Sequence, residues 1–180
     1  GEEVATLINN AGFGLWGKFA ALGGPRQREM IDLNCGTLVE LCHAVLPAMR
    51  ARGAGAILNV ASTAAFQPGP GMATYFATKA FVLSFTEALH EELLKEGIKV
   101  TALCPGPTRT EFGEVAGFKT RLKAAFERLA MDSAPVVRAG LDGLERNRAI
   151  VVPGVINKAS AQSSRFLPRS WVRKAAGAIK

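Results

Sequence analysis

Apolar residues in this chain gather into short continuous runs, and between them the apolar positions recur at helical spacing. Val4-Ala-Thr-Leu-Ile-Asn9 is one such run, ending at Asn9-Asn-Ala-Gly12, so a buried strand followed by a turn is predicted. From Pro25 to Arg52 the residues Met30, Leu33, Leu38, Leu41, Val45 and Met49 repeat at helical intervals until Gly53 and Gly55 stop the run. Ala56 to Ala61 is a second strand. Phe66-Gln-Pro-Gly-Pro-Gly71 carries turn chemistry and leads into a helix from Met72 to Lys95. Ile98 to Cys104 is a third strand, broken at Pro105-Gly106. A mobile stretch from Gly106 to Gly117 is expected next, then helices over Lys119 to Ala130 and Ser133 to Arg146, and a last short strand at Ile150 to Val152.

Continuous apolar strands alternating with long helices predict an α/β fold whose parallel sheet is covered on both faces. In such sheets ligands bind beyond the carboxyl ends of the strands. Asn9 to Gly12, Ser62 and the segment from Pro105 onward all fall at such ends. The length of 180 residues suits one domain, with a core over residues 4–155 and a basic tail over residues 156–180.

Charge changes this picture little. The formal net charge of +7 and a pI near 9.7 invite a nucleic-acid reading, but much of the excess lies late in the chain. Lys119, Arg121, Lys123, Arg138, Arg146, Arg148, Arg165, Arg169, Arg173, Lys174 and Lys180 are spaced like solvated helical faces, so no nucleic-acid partner is expected. The tail segment Arg165-Phe-Leu-Pro-Arg-Ser-Trp-Val-Arg-Lys174 combines aromatic and basic residues and suits a membrane surface. Packing on the domain or on a sister subunit of a homo-oligomer is the simpler expectation. Cys35, Cys42 and Cys104 include no CxxC pair and sit in apolar surroundings, as reduced thiols of a cytoplasmic protein do. His43 and His90 are too few for a metal site. No apolar run reaches the roughly 20 residues of a membrane span, and Gly1-Glu-Glu-Val4 lacks the basic start of a signal peptide.

The candidate chemistry centres on Tyr75 and Lys79. Residues four apart on a helix stand on one face, so the phenol and the ammonium converge. A phenol with a reference pKa of about 10 is a poor proton carrier at neutral pH, and a fixed cation nearby favours the phenolate. The pair predicts proton transfer, with a lowered tyrosine pKa.

The set Asn9-Asn10-Ala11-Gly12, Asn34, Ser62, Tyr75-x-x-x-Lys79 and Pro105-Gly106-Pro-Thr108-Arg-Thr110 closely resembles the short-chain dehydrogenase/reductase family in order and spacing, and the phrases around it resemble the ketoacyl-reductase-like subgroup. The resemblance implies a Rossmann-type doubly wound parallel sheet, of which this chain would hold the C-terminal two-thirds. It implies NADP or NAD as cofactor and a small carbonyl or secondary alcohol as substrate. Tyr75 would then be the general acid/base, Ser62 would hold the substrate oxygen, and Lys79 would lower the tyrosine's pKa and bind the nicotinamide ribose. Asn34 would keep a water linking Lys79 to solvent. Asn9 to Gly12 resemble the turn beside the adenosine, and Pro105, Gly106, Thr108 and Thr110 match the segment near the carboxamide.

The family's Gly-rich dinucleotide turn has no counterpart here, since Gly12-Phe-Gly14 and Gly17 follow the Asn-Asn-Ala-Gly turn and lack the downstream acidic residue. The chain is therefore expected to begin inside the fold, which would leave the strand from Val4 to Asn9 as an apolar edge. The choice between NAD and NADP rests on residues that are not in this sequence. An apolar lining from Ala64, Ala65, Phe66, Pro68, Pro70 and Met72 suits an apolar or 3-oxoacyl substrate. The competing reading is a cofactor-free remnant that serves as a binding or scaffold domain.

Overall fold

The computed structural model describes residues 3–177. Strand β1 spans Thr6–Asn9 and is followed by one long helical passage in three parts: α1 (Gly24–Ile31), a π-helical segment (Asp32–Thr37) and α2 (Leu38–Arg52). Pro25 stands in the first turn of α1, where its missing N–H costs nothing. Gly53 ends α2 in the left-handed region at φ 62°, as the sequence expected of a glycine stop. Strand β2 (Gly55–Val60) and a single 3-10 turn (Thr63–Phe66) lead to α3 (Ala73–Leu93), and β3 (Ile98–Leu103) follows. Helices α4 (Phe112–Val115), α5 (Thr120–Leu129) and α6 (Ser133–Glu145) precede β4 (Ile150–Val151), and α7 (Val155–Phe166) and α8 (Arg169–Gly177) close the described part.

The strands form a parallel sheet in the order β1-β2-β3-β4, with Asn9 beside Asn59, Leu58 beside Thr101 and Ala102 beside Ile150. Side chains alternate across this sheet. Ile57, Val100 and Ala102 face α2 and α3, where they meet Met49, Val82 and Leu93, all essentially inaccessible to solvent. Leu58 and Leu103 face the other way onto Val136 and Leu144 of α6. Both faces are covered, as the periodicity predicted, and the architecture is the Rossmann-like α/β one that the resemblance implied.

Three features differ from the sequence reading. Strand β1 is shorter, starting at Thr6, although the expected apolar edge is there: among the described residues β1 pairs on one side only, with Val4 and Ile8 each 48% exposed. The stretch from Gly106 to Gly117 is not featureless: it contains α4, whose Phe112 joins Phe118 and Phe126 beyond it in an aromatic cluster with centroid separations of 5.4 to 6.2 Å. The tail, left without elements by the sequence, forms α7 and α8. Its apolar residues Val155, Ile156, Phe166 and Trp171 remain exposed. Lys180 and the side chains of Arg121 and Arg165 lie outside the described residues. Among the described residues no helix is long and apolar enough to cross a membrane, and no cluster of His, Cys, Asp or Glu could hold a metal.

Candidate active site

Tyr75 and Lys79 lie on the first turns of α3, the face that packs under the carboxyl end of β2. Both are buried, and the Lys79 Nζ stands 5.9 Å from the centroid of the Tyr75 ring. Nζ donates to the Val60 carbonyl at 2.7 Å, its one hydrogen bond among the described residues. A buried ammonium with so little compensation prefers to lose its proton, and burial draws the Lys79 pKa down to about 8, with Cys35 and Cys104 pulling weakly the other way.

The phenol behaves opposite to the expectation of a lowered pKa. Burial pushes Tyr75 up to about 12, and Ser62 opposes that by hydrogen bonding. The reason is packing: the ring is covered by Phe112 at 5.2 Å and Phe76 at 6.1 Å, in a cluster with Phe13, Ala64 and Met72. Taking the phenolate out of water outweighs any attraction from a lysine that lies beneath the ring.

Ser62 caps the turn after β2, its Oγ accepting from Ala64 N at 3.1 Å and donating to Pro105 O at 3.4 Å. The Pro105 carbonyl also accepts from Thr63 N at 2.8 Å, so the loops after β2 and β3 are tied where the candidate residues sit. Asn34 stands in the π-helical segment, and such bulges often mark functional positions. Its carboxamide brackets the backbone of Phe13, accepting from its N–H at 3.1 Å and donating to its carbonyl at 2.9 Å. A further hydrogen bond runs from Nδ2 to Thr78 Oγ1 at 3.1 Å, and Thr78 Oγ1 donates to Tyr75 O at 2.7 Å. Asn34 thus fastens the turn after β1 to the helix that carries Tyr75. Thr78 and Phe13 complete this link and carried no signal in the sequence, being ordinary residues of a helix and a turn.

The residues expected to touch a dinucleotide divide. Asn9 is corrected: its side chain points into the core, where Nδ2 donates to Asn59 Oδ1 at 2.8 Å, and Asn59 continues to Thr86 Oγ1 at 3.0 Å. It fastens β1 to β2 and α3. Asn10, Ala11 and Gly12 form the exposed turn beyond β1, and Asn10 N donates back to Ile8 O at 3.2 Å. A Cβ on Gly12 would stand 2.8 Å from Asn34 Oδ1 and 3.7 Å from Lys79 Nζ, so glycine keeps the space beside the ammonium open. Pro105 and Gly106 follow β3, and a Cβ on Gly106 would overlap the side chain of Asn157. Asn157 on α7 donates to Pro153 O at 2.8 Å and was not foreseen, because α7 itself was not. Thr108 and Thr110 spend their hydroxyls locally, Thr108 on Gly106 O at 3.0 Å and Thr110 in accepting from Phe112 N at 3.3 Å.

A cleft of about 550 Å³ opens between α4 and α5, lined in part by Arg109, Lys123, Phe126 and Arg128. Phe112 separates it from Tyr75, stacking at 6.2 Å on Phe126 and touching Tyr75 on its other side. All three cysteines are buried and unpaired, and burial raises each thiol, Cys104 to about 12. None is a ready nucleophile.

The pattern of the short chain dehydrogenase family matches residues 2–118. The chain is 43% identical over 113 residues to sulfoacetaldehyde reductase 2 of Chromohalobacter salexigens, covering 62% of this chain and 45% of that protein. It is 39% identical over 108 residues to acetoacetyl-CoA reductase of Paracoccus denitrificans, covering 60% of this chain and 45% of that protein. A short-chain dehydrogenase from Sphingobium yanoikuyae in complex with NADPH superposes with a TM-score of 0.77 at 34% identity, covering 90% of this chain and 62% of that one. The chain belongs to the short-chain dehydrogenase family, whose relatives here are oxidoreductases. It spans about half the length of the curated relatives it matches.

Proposed function

We propose that this chain carries the acid/base half of an NAD(P)-dependent oxidoreductase that interconverts a carbonyl and a secondary alcohol. The observation that carries the reading is Lys79: a buried ammonium with one acceptor, Val60 O, beside a wall kept open by Gly12. Two N–H directions remain for hydroxyl oxygens, which is the donor set a ribose diol needs. The residues present therefore suit the nicotinamide side of the cofactor, with Lys79 holding the ribose and the turn at Asn10, Ala11 and Gly12 beside the adenosine. Pro105, Gly106, Thr108 and Thr110 would line the carboxamide.

When bound, the nicotinamide supplies or accepts the hydride. The chain's own part is the proton. With its pKa near 12, Tyr75 is fully protonated at neutral pH and is set to donate its hydroxyl proton to a substrate oxygen that is gaining negative charge. Ser62 orients that oxygen by a hydrogen bond. Lys79 holds positive charge below the phenol, and Asn34 keeps the turn and α3 in register. Reduction uses the protonated phenol that this state presents, and oxidation uses the phenolate, which burial disfavours. Apolar neighbours at Ala64, Phe66 and Met72 suit an apolar or 3-oxoacyl carbonyl.

Titration of NADPH and NADH into the purified chain, read by nicotinamide fluorescence, tests the reading. Saturable binding that Lys79→Ala abolishes supports it. A folded chain that binds neither dinucleotide overturns it in favour of a cofactor-free binding domain.

A further inference from the structure

The ring of Phe112 lies against the ring of Tyr75. It lies 5.2 Å from the Tyr75 ring, tilted by 49°, and is backed by Phe118 at 6.0 Å and Phe126 at 6.2 Å. Its tip reaches Gly14, where a Cβ would stand 2.8 Å from Phe112 Cζ and 2.9 Å from Met72 Cε. Trp16 closes the far side, meeting Phe118 at 6.0 Å, and its backbone N–H donates to Ala116 O at 2.8 Å. The box is thus made of flat rings, a glycine and a flexible thioether. Its occupant is a phenyl group belonging to a helix of only one turn, whose first N–H, that of Phe112, donates to the Thr110 hydroxyl at 3.3 Å.

Resting on the oxidoreductase reading, we propose that Phe112 is a displaceable plug: its ring fills, in the ligand-free protein, the seat for the non-reacting group of the substrate, and that group is a flat apolar ring. A ring entering between Gly14, Met72 and Tyr75 makes the offset contacts that Phe112 makes now, which favour an aromatic occupant beyond simple burial. It replaces aromatic surface by aromatic surface, so no buried polar group is stranded. An aliphatic chain recovers less of that contact, and a charged group recovers none. The carbonyl of an aryl ketone seated there is held at the edge of the Tyr75 ring, toward the phenol and Ser62. Phe112 is a positioning and specificity residue in this account and takes no part in the proton step.

Tyr75 is the only tyrosine in the sequence, so tyrosinate absorbance reads this site alone. After a rapid jump to about pH 11, roughly a tenth of the phenol ionises in the wild-type chain if its pKa is about 12, against roughly nine-tenths at an unburied pKa of about 10. Phe112→Ala and the milder Phe112→Leu are compared with wild type, each first shown to unfold cooperatively so that exposure by denaturation is excluded. The expected result is a several-fold higher tyrosinate signal in the folded variants. A second arm follows quenching of that signal by acetophenone and by 2-octanone: protection by the aryl ketone in Phe112→Ala, at concentrations where the aliphatic ketone gives none, is expected. An unchanged tyrosinate fraction in folded Phe112→Leu and Phe112→Ala overturns the plug, and equal protection by both ketones overturns the aryl seat. Neither arm uses a dinucleotide or turnover. If both succeed while NADPH and NADH fail to bind, the seat stands and the oxidoreductase reading falls.

Discussion

Replacing Lys79 by methionine is expected to make the cofactor-free protein more stable. Burial lowers the lysine from its ordinary 10.5 to about 8. Each pKa unit corresponds to 1.36 kcal/mol, so carrying the proton at pH 7 costs the fold about 3 kcal/mol. Methionine keeps most of the volume of the stem but forfeits the hydrogen bond to Val60 O, a loss of about 1 kcal/mol. The net gain is about 2 kcal/mol, which for a domain of this size raises Tm by about 4–8 °C. The sign of the pH dependence follows from the lowered pKa. Between about pH 8 and pH 10.5 the unfolded chain binds the proton that the folded chain has released, so wild-type stability rises with pH across that window. The advantage of Lys79→Met therefore shrinks as pH rises and is gone by about pH 10.5. Calorimetric or fluorescence-detected melting of both proteins at pH 7, 8.5 and 10 measures this. A variant that melts below wild type at pH 7, or a difference that stays constant with pH, refutes the reasoning.

Tyr75→Phe should lower kcat/KM for ketone reduction by about 10²–10⁴-fold with little loss of dinucleotide affinity, since it removes the proton and leaves the ring. Because the Tyr75 pKa is raised, its contribution to stability is full below about pH 10 and is lost as pH climbs to about 12. Tyr75→Phe should accordingly show a flatter alkaline limb in denaturant titrations than wild type. Asn59→Leu leaves Asn9 Nδ2 without its best acceptor in the core and should cost about 1–3 kcal/mol in urea unfolding, while nicotinamide binding to the folded fraction is unchanged. Gly97 has a φ of 73°, and a Cβ there would overlap the Gly53 carbonyl oxygen, so Gly97→Ala should destabilise by about 3 kcal/mol or more, read by the same assay. Gly14→Ala should be costly in wild type and milder together with Phe112→Leu, because the added methyl then meets only the flexible end of Met72 and no longer the ring as well.

The strands and the long helices were legible because they obey a single period each. Ile57 and Val100 belong to runs that are mostly apolar, as strands buried on both faces are, with Asn59 and Thr101 as buried polar exceptions. Tyr75, Lys79, Ser62 and Asn34 stand out in the sequence as a set, and the structure brings them around the ends of β1, β2 and β3. Asn9 was misplaced for a definite reason: a strand's last residue can point toward the loop or into the sheet, and the side is decided by Asn59 on the neighbouring strand and Thr86 on a distant helix. The tyrosine's pKa was misjudged because the lysine is local in sequence, while Phe112, which arrives from a different loop, is not. Helices α7 and α8 escaped the sequence reading, which weighed that segment by its basic and aromatic residues; Ala161 and Val172 are turned inward, while Val155 and Trp171 are exposed.

The line of amides and hydroxyls from Asn9 through Asn59 to Thr86, which ends at Val82 O, has a consequence for how the molecule opens. An edge strand held by its ladder alone would fray freely, independent of everything behind it. Here β1 leaves only if a buried amide loses its partner, and that partner is itself bonded to the middle of α3. Transient opening at the margin of the sheet is therefore felt by the helix bearing Tyr75 and Lys79. Amide hydrogen exchange in β1 and in the centre of α3 should slow together when a dinucleotide is held by Lys79, although the two segments share no ligand contact.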